Sequence, residues 1–176
     1  NYMDILPMAK LDAEIGADAV RYYLIRLDTM NMDLKLSPEQ VQRMCDDLDP
    51  ALKILKKKGI HFIDNVKFQF EHYDDDTGAW CENVFLEEGC TIGWFFCLIP
   101  ALTDLSLCCH LRTIGWLTEK RFKDLWLSPE YERYRRQAKD LKYNKDVTFM
   151  NGVKLYDEHC THCDNHQIGR ASCRER

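Results

Sequence analysis

Apolar and polar residues alternate at helical spacing along two stretches of the first half of the chain. The first, DILPMAKLDAEIG, predicts a helix that stops at Gly16. The second, LSPEQVQRMCDDLDPALKILKKKG, predicts a longer helix, because Ser37 opens a capping box that Gln40 completes. Pro50 falls inside that second stretch, so we expect the helix to kink or to split in two there.

Two apolar runs of the same half predict β-strands. The run ADAVRYYLIRL is rich in branched and aromatic residues, and IHFIDN is a shorter run of the same kind. Helix and strand alternate at a spacing that predicts parallel strand pairing and an α/β fold. The acidic run HYDDDTG then predicts a solvated linker, which we place at residues 74–79.

The second half has a different character, since residues 80–127 are rich in cysteine, tryptophan and phenylalanine. The segments LTEKRFKDLW and SPEYERYRRQAKDL predict two short helices. Ser128 caps the second of them, with Pro129 at its first helical position. The polar segment 142–158 predicts a loop.

Composition and charge exclude several classes of function. The 176 residues are 45% apolar and 30% charged with a net charge of −5, which is typical of a soluble globular protein without a nucleic-acid partner. No apolar run reaches the roughly 18 residues of a membrane span. The start NYMDILPMAK has no features of a signal peptide, so we expect a cytoplasmic protein. Because the chain begins with Asn1, we interpret it as a fragment.

The nine cysteines indicate a metal site. All but Cys45 lie at or after Cys81, and Cys160 and Cys163 form a C-x-x-C inside EHCTHCDNH. Metal ligation explains this pattern better than disulfides do, since the chain shows no secretory signal.

A four-ligand site needs two more donors, and spacing alone leaves their identity open. The candidates are Cys90, Cys97, Cys108 and Cys109, with the histidines His110, His159, His162 and His166 as alternatives. Cysteines from distant segments and aromatic surroundings favour an iron–sulfur cluster. The spacing of the cysteines alone is also compatible with a zinc site of four thiolates, or of three thiolates and one imidazole.

The segments CTIGWFFCLIPALTDLSLCCH, IGWLTEKRFKDLWLSPEYERYRRQA and CTHC together resemble the SPASM-type C-terminal extension of radical SAM enzymes. The resemblance covers residues 80–166. It implies a small Cys-rich α+β module, a β-hairpin with short helices, that holds an auxiliary [4Fe-4S] cluster. The cluster ligands implied are Cys90, Cys108, Cys160 and Cys163. Cys97 and Cys109 would then be packed thiols, and the histidines would lie around the site.

The matching block extends beyond the cysteines. It comprises Gly93, Trp94, Phe95 and Phe96 after the first cysteine, and Gly115, Leu117, Glu119, Phe122, Trp126, Ser128, Tyr131 and Arg135 after the second. Three positions depart from the family pattern. Thr103 replaces a glycine that would permit a tight hairpin turn, Leu107 replaces a proline, and Trp116 replaces an asparagine after Gly115.

The two ends of the chain carry further resemblances. Residues 1–73 resemble the late strand-and-helix part of the radical SAM partial (β/α) barrel. GADAVRYYL alone also resembles class I aminoacyl-tRNA synthetases, but the later cysteines do not. The last segment, 167–176, resembles a translated sequencing-adapter read-through of the kind found in metagenomic reading frames. We expect it to carry no function.

These resemblances imply the C-terminal fragment of a radical SAM/SPASM oxidoreductase. The chain has no C-x-x-x-C-x-x-C loop, so S-adenosylmethionine and a second [4Fe-4S] cluster would belong to the full-length protein only. The fragment would not be catalytic alone, and no catalytic residue can be assigned. The implied partners are a small-molecule or peptide substrate and an electron donor such as ferredoxin or flavodoxin. The alternative is a four-cysteine zinc module with a structural or interaction role.

Overall fold

A computed structural model describes residues 2–63, 65–81, 83–163 and 165, and the chain divides into two units, residues 1–80 and 81–176. The first unit contains α1 (Ile5–Ile15), β1 (Ala19–Val20), a 3-10 helix (Met32–Leu34), α2 (Pro38–Lys57), β2 (His61–Phe62) and α3 (Val66–Glu71). The second contains α4 (Val84–Glu88), α5 (Ile92–Phe95), β3 (Asp104–Ser106), β4 (Thr113–Trp116), α6 (Phe122–Trp126), α7 (Pro129–Lys139), α8 (Leu141–Asn144) and a 3-10 helix (Glu158–His162). The predicted artefact segment 167–176 lies outside the described residues, as does His166.

Helix α2 confirms the capping box predicted for the first unit. The Gln40 amide donates to Ser37 Oγ at 3.3 Å, and the Ser37 amide donates to Gln40 Oε1 at 2.8 Å. One face of the helix supplies the core of this unit, through Met44, Leu48, Ala51 and Leu55. The expected split at Pro50 is wrong, because the buried face continues on both sides of the proline and the helix runs through it.

Strands β1 and β2 confirm the parallel pairing, with Ala19 opposite His61 and Val20 opposite Phe62. The strand predicted over 17–27 is much shorter than expected. Beyond Val20 the backbone leaves the ladder, and the Leu24 amide donates to the Gln69 side chain at 2.7 Å instead of to a strand. The unpredicted helix α3 carries Gln69, so a buried amide side chain replaces part of the sheet.

The predicted linker forms an ordered turn. Asp74 Oδ1 accepts from the Thr77 amide at 2.7 Å and from the Thr77 hydroxyl at 2.8 Å, and the Gly78 amide donates back to the Asp74 carbonyl. Lys35 Nζ also donates to the backbone carbonyls of Asp75 and Asp76. Side-chain capping therefore fixes a segment whose composition suggested only solvation.

The second unit is built on an antiparallel hairpin with short helices around it. Strands β3 and β4 pair with a register shift between Leu105 and Ser106, and Leu98 bridges to Ser106. The two predicted helices are present as α6 and α7, and Ser128 Oγ accepts from the Tyr131 amide at 3.1 Å. The predicted loop 142–158 is shorter than expected, because α8 extends into it and Thr148 bridges to Lys154.

The chain is thus a small mixed helix and sheet protein. Across the described ranges, none of the helices combines the length and the apolar character that crossing a membrane requires.

Thr103 lies in the left-handed region, with φ of 64°. It immediately precedes β3, at the position where the resembled family has glycine, and a branched residue is strained there. Its amide donates to the Pro100 carbonyl and its own carbonyl accepts from the Leu117 amide, which hold the turn in place. The altered position therefore keeps the glycine-like backbone and accepts the strain.

We predict that Thr103→Gly stabilises the second unit. Relief of roughly 1–2 kcal/mol of left-handed strain exceeds the roughly 0.5–1 kcal/mol of backbone entropy that glycine loses on folding. The unfolding midpoint in denaturant should rise. Thr148→Gly is the matched control, since Thr148 has a negative φ, and its midpoint should fall. Equal shifts for both variants would show that Thr103 is unstrained.

Candidate metal centre

Four cysteines from three separate segments line one cavity in the second unit. Cys90 lies between α4 and α5, Cys108 follows β3, and Cys160 and Cys163 lie in and just after the 3-10 helix Glu158–His162. The cavity measures about 30 Å³, more than the roughly 10–15 Å³ that one water requires. The remaining walls are Phe85, Ile92, Leu107, His110, Arg112, Leu141, Leu155 and Asn165. The structure therefore brings the four predicted ligands together in a mainly apolar shell.

The four cysteines share the wall of one cavity. Among residues 2–63, 65–81, 83–163 and 165, no three Cys, His, Asp or Glu side chains are already grouped as ligands of one metal ion. The donor set still fits a thiolate-bound centre, because soft sulfur ligands suit both zinc and iron–sulfur clusters.

Backbone contacts hold Cys90 in place. Gly89 ends α4 with φ of 77°, and the Cys90 amide then donates to the Ala138 carbonyl at 2.8 Å. A Cβ on Gly89 would lie 1.9 Å from the Lys139 carbonyl oxygen. Only glycine therefore allows this turn to rest against the end of α7.

Local hydrogen bonds also hold the C-x-x-C segment. The Cys81 amide donates to the Thr161 carbonyl at 2.8 Å, and Cys81 Sγ lies 3.3 Å from the Cys163 carbonyl. Asp157 begins the segment, with Oδ1 accepting from the His159 amide at 3.0 Å. Cys81 is fully buried and acts as a support for the segment rather than as a wall of the cavity.

Arg112 is the main feature of the site that the sequence did not reveal. It is 1% exposed, and its Nη1 and Nη2 donate to Cys108 Sγ and Cys160 Sγ, each at 3.3 Å. Its Nε donates to the Leu155 carbonyl at 2.9 Å, and Nη2 lies 3.1 Å from Asp157 Oδ1. Its position four residues after Cys108, immediately before β4, was the available signal, but no spacing rule singles it out.

Burial changes the acidity of the thiols. It raises the pKa of Cys90 to about 12 and raises the pKa of Cys163 well above its ordinary value. It also raises the pKa of Cys160, although Arg112 opposes the effect. Protonated thiols must lose their protons when they bind a metal, so binding at this site is expected to release protons.

The resembled block W-x-S-x-x-Y-x-x-x-R forms a stacked support behind the site. The Arg135 guanidinium lies 4.3 Å from the Trp126 ring centre and 4.1 Å from that of Tyr131. Its Nε donates to the Gly93 carbonyl at 2.7 Å, and Nη1 donates to the Trp126 carbonyl at 3.0 Å. Arg135 therefore ties α7 to the segment that follows Cys90.

The other candidate residues lie around the centre or away from it. Cys97 and Cys109 are not part of the cavity wall; Cys109 is exposed and its Sγ accepts from Asn165 at 3.4 Å. His110 lines the cavity, with its ring 5.2 Å from that of His159. His162 Nδ1 lies 2.8 Å from the Thr161 hydroxyl.

Residues 90–164 match the family model of SPASM, an iron–sulfur cluster-binding domain. This range contains the four cysteines that line the cavity together with Arg112. The match supports a SPASM-type segment and, with it, iron–sulfur cluster binding. No curated protein and no solved structure matches the chain.

Proposed function

We propose that the second unit binds an auxiliary [4Fe-4S] cluster through Cys90, Cys108, Cys160 and Cys163. The observation that carries this proposal is that the four thiols line a single buried cavity within the segment that matches the SPASM family. Such a cluster, when bound, takes up and releases single electrons. Zinc is the competing occupant, because the same four thiolates suit it.

The residues of the chain have distinct tasks in this proposal. The four cysteines supply thiolate ligands, and the apolar walls of the cavity exclude water from them. Arg112 donates to two of the sulfur atoms, and Asp157 accepts from Arg112. Gly89 and Cys81 hold the ligand-bearing turns in position.

For the whole protein we propose a radical SAM/SPASM oxidoreductase. The parallel pair β1–β2, with α2 between the strands in sequence, supports a partial (β/α) barrel in the first unit. The auxiliary cluster would position a small-molecule or peptide substrate or relay electrons from a ferredoxin or flavodoxin. S-adenosylmethionine and its own cluster would bind elsewhere in that protein.

Anaerobic reconstitution of the full chain with iron and sulfide tests cluster binding. We expect a broad absorption band near roughly 400 nm that bleaches when dithionite adds one electron per chain, with a paramagnetic signal from the reduced cluster. Excess EDTA added to the purified, loaded protein should remove the band slowly, because the centre is buried. A chain that shows no band and no paramagnetic signal after reconstitution contradicts the proposal.

A further inference from the structure

Arg112 is a buried cation, and two of its four polar partners are sulfur atoms. The Arg112 side chain is 2% exposed, and the carboxylate of Asp157 beside it is 25% exposed. Burying a guanidinium is unfavourable unless its donors find partners and its charge is balanced. Nη1 donates to Cys108 Sγ, and Nη2 contacts both Cys160 Sγ and Asp157 Oδ1.

Metal binding by these sulfur atoms makes the arrangement favourable. A neutral thiol is a weak acceptor, whereas a metal-bound sulfur is deprotonated and carries negative charge. Hydrogen bonds between charged partners are about twice as strong as neutral ones. Arg112 is therefore placed to meet anionic sulfur on two different ligand segments, one on the hairpin and one on the C-x-x-C.

The charges around Arg112 are unequal in position. Asp157, at the start of the C-x-x-C segment, balances part of the charge of Arg112. His159 Nδ1 lies 3.4 Å from Asp157 Oδ1, and the His159 ring packs against that of His110. The Arg112 Nη1 and Nη2 atoms lie 3.3 Å from Cys108 Sγ and Cys160 Sγ, whereas Asp157 Oδ1 lies 4.0 Å from Cys160 Sγ. The positive charge is thus the charge nearer to the thiolates.

We propose that Arg112 sets the reduction potential of the cluster held by the four cysteines, and that the negative charge of Asp157 partly offsets its effect. This inference rests on the proposed function. One-electron reduction changes the core from [4Fe-4S]²⁺ to [4Fe-4S]⁺, with the electron supplied by an external reductant and no bond to the protein made or broken. The added negative charge is favoured by a nearby cation that donates hydrogen bonds to the ligand sulfurs. Arg112 therefore raises the potential, and Asp157 lowers it.

The test is a dithionite titration of the reconstituted 176-residue chain and its variants, followed by absorption and electron paramagnetic resonance. At the wild-type midpoint, Arg112→Gln should lower the ratio of reduced to oxidised cluster at least tenfold, about 59 mV for one electron. Asp157→Asn, which keeps a capping oxygen, should raise the ratio. Arg112→Lys should give a ratio of reduced to oxidised cluster between those of the wild type and Arg112→Gln. Lysine keeps the positive charge but cannot donate to two sulfur atoms with the fixed geometry of a guanidinium.

Arg136→Gln is the matched control, since it removes the same charge at a side chain that is 76% exposed, and the ratio should not change. An unchanged ratio in cluster-loaded Arg112→Gln overturns the inference. If that variant takes up no iron, the Asp157→Asn variant decides, and an unchanged ratio there overturns it as well. A wild-type chain that binds no cluster overturns the proposed function itself, and its iron content distinguishes this outcome.

Discussion

Serine in place of Cys108 is expected to reduce bound iron from about four atoms per chain to about three or fewer after anaerobic reconstitution. Cys108 lines the cavity and provides the ligand from the hairpin, so its loss leaves three thiolates from two segments. Serine is nearly isosteric, and its hydroxyl is a poor ligand for a soft metal centre. Iron and sulfide assays on the gel-filtered protein measure the effect.

The neighbouring cysteine gives a stringent control. Cys109 is adjacent in sequence but exposed, and it is not part of the cavity wall. Cys109→Ser should therefore keep the iron content of the wild type, as should Cys45→Ser in the first unit. A loss of iron in Cys109→Ser equal to that in Cys108→Ser would mean that the ligand set is wrong.

Alanine in place of Gly89 is expected to destabilise the second unit by on the order of 4 kcal/mol. The new Cβ would lie 1.9 Å from the Lys139 carbonyl oxygen and 2.8 Å from the Lys139 carbonyl carbon, so backbone would have to move. The backbone angles of Gly89, φ 77° and ψ 172°, are also nearly restricted to glycine. Bound iron should fall too, because Cys90 follows directly. Thermal and denaturant unfolding of the full chain measure the change in stability.

Gly152→Ala separates the clash from the backbone strain. Gly152 also has a positive φ, 81°, but a Cβ there would meet nothing within 4 Å. Its replacement should be unfavourable by only about 1–2 kcal/mol and should leave the iron content unchanged. Similar losses of stability in the Gly89→Ala and Gly152→Ala variants would show that the contact between the Gly89 turn and α7 does not contribute to stability.

Helices whose start is marked by capping residues could be predicted from the sequence. Ser37 with Gln40, and Ser128 with Pro129, carry their helix starts in adjacent residues, and both α2 and α7 begin where those signals place them. The four cysteines that the family resemblance implied as ligands line one cavity, and their role as ligands stays a prediction. The identity of the bound group remains a proposal.

Features that depend on tertiary contacts could not be predicted. Strand β1 ends early because Gln69 accepts from the Leu24 amide across 45 positions of the sequence. Arg112 gains its role from Cys160, Leu155 and Asp157, which are more than 40 residues away. Pro50 did not break α2, because burial on both sides of it outweighed a local rule.

The central claim is that the four cysteines hold an iron–sulfur cluster rather than zinc. The most direct measurement is the iron, zinc and acid-labile sulfide bound per chain after anaerobic reconstitution with iron, sulfide and an equimolar amount of zinc. The proposal predicts about four iron and about four sulfide per chain, with little zinc. About one zinc per chain, without sulfide, would contradict it and would identify a structural zinc site.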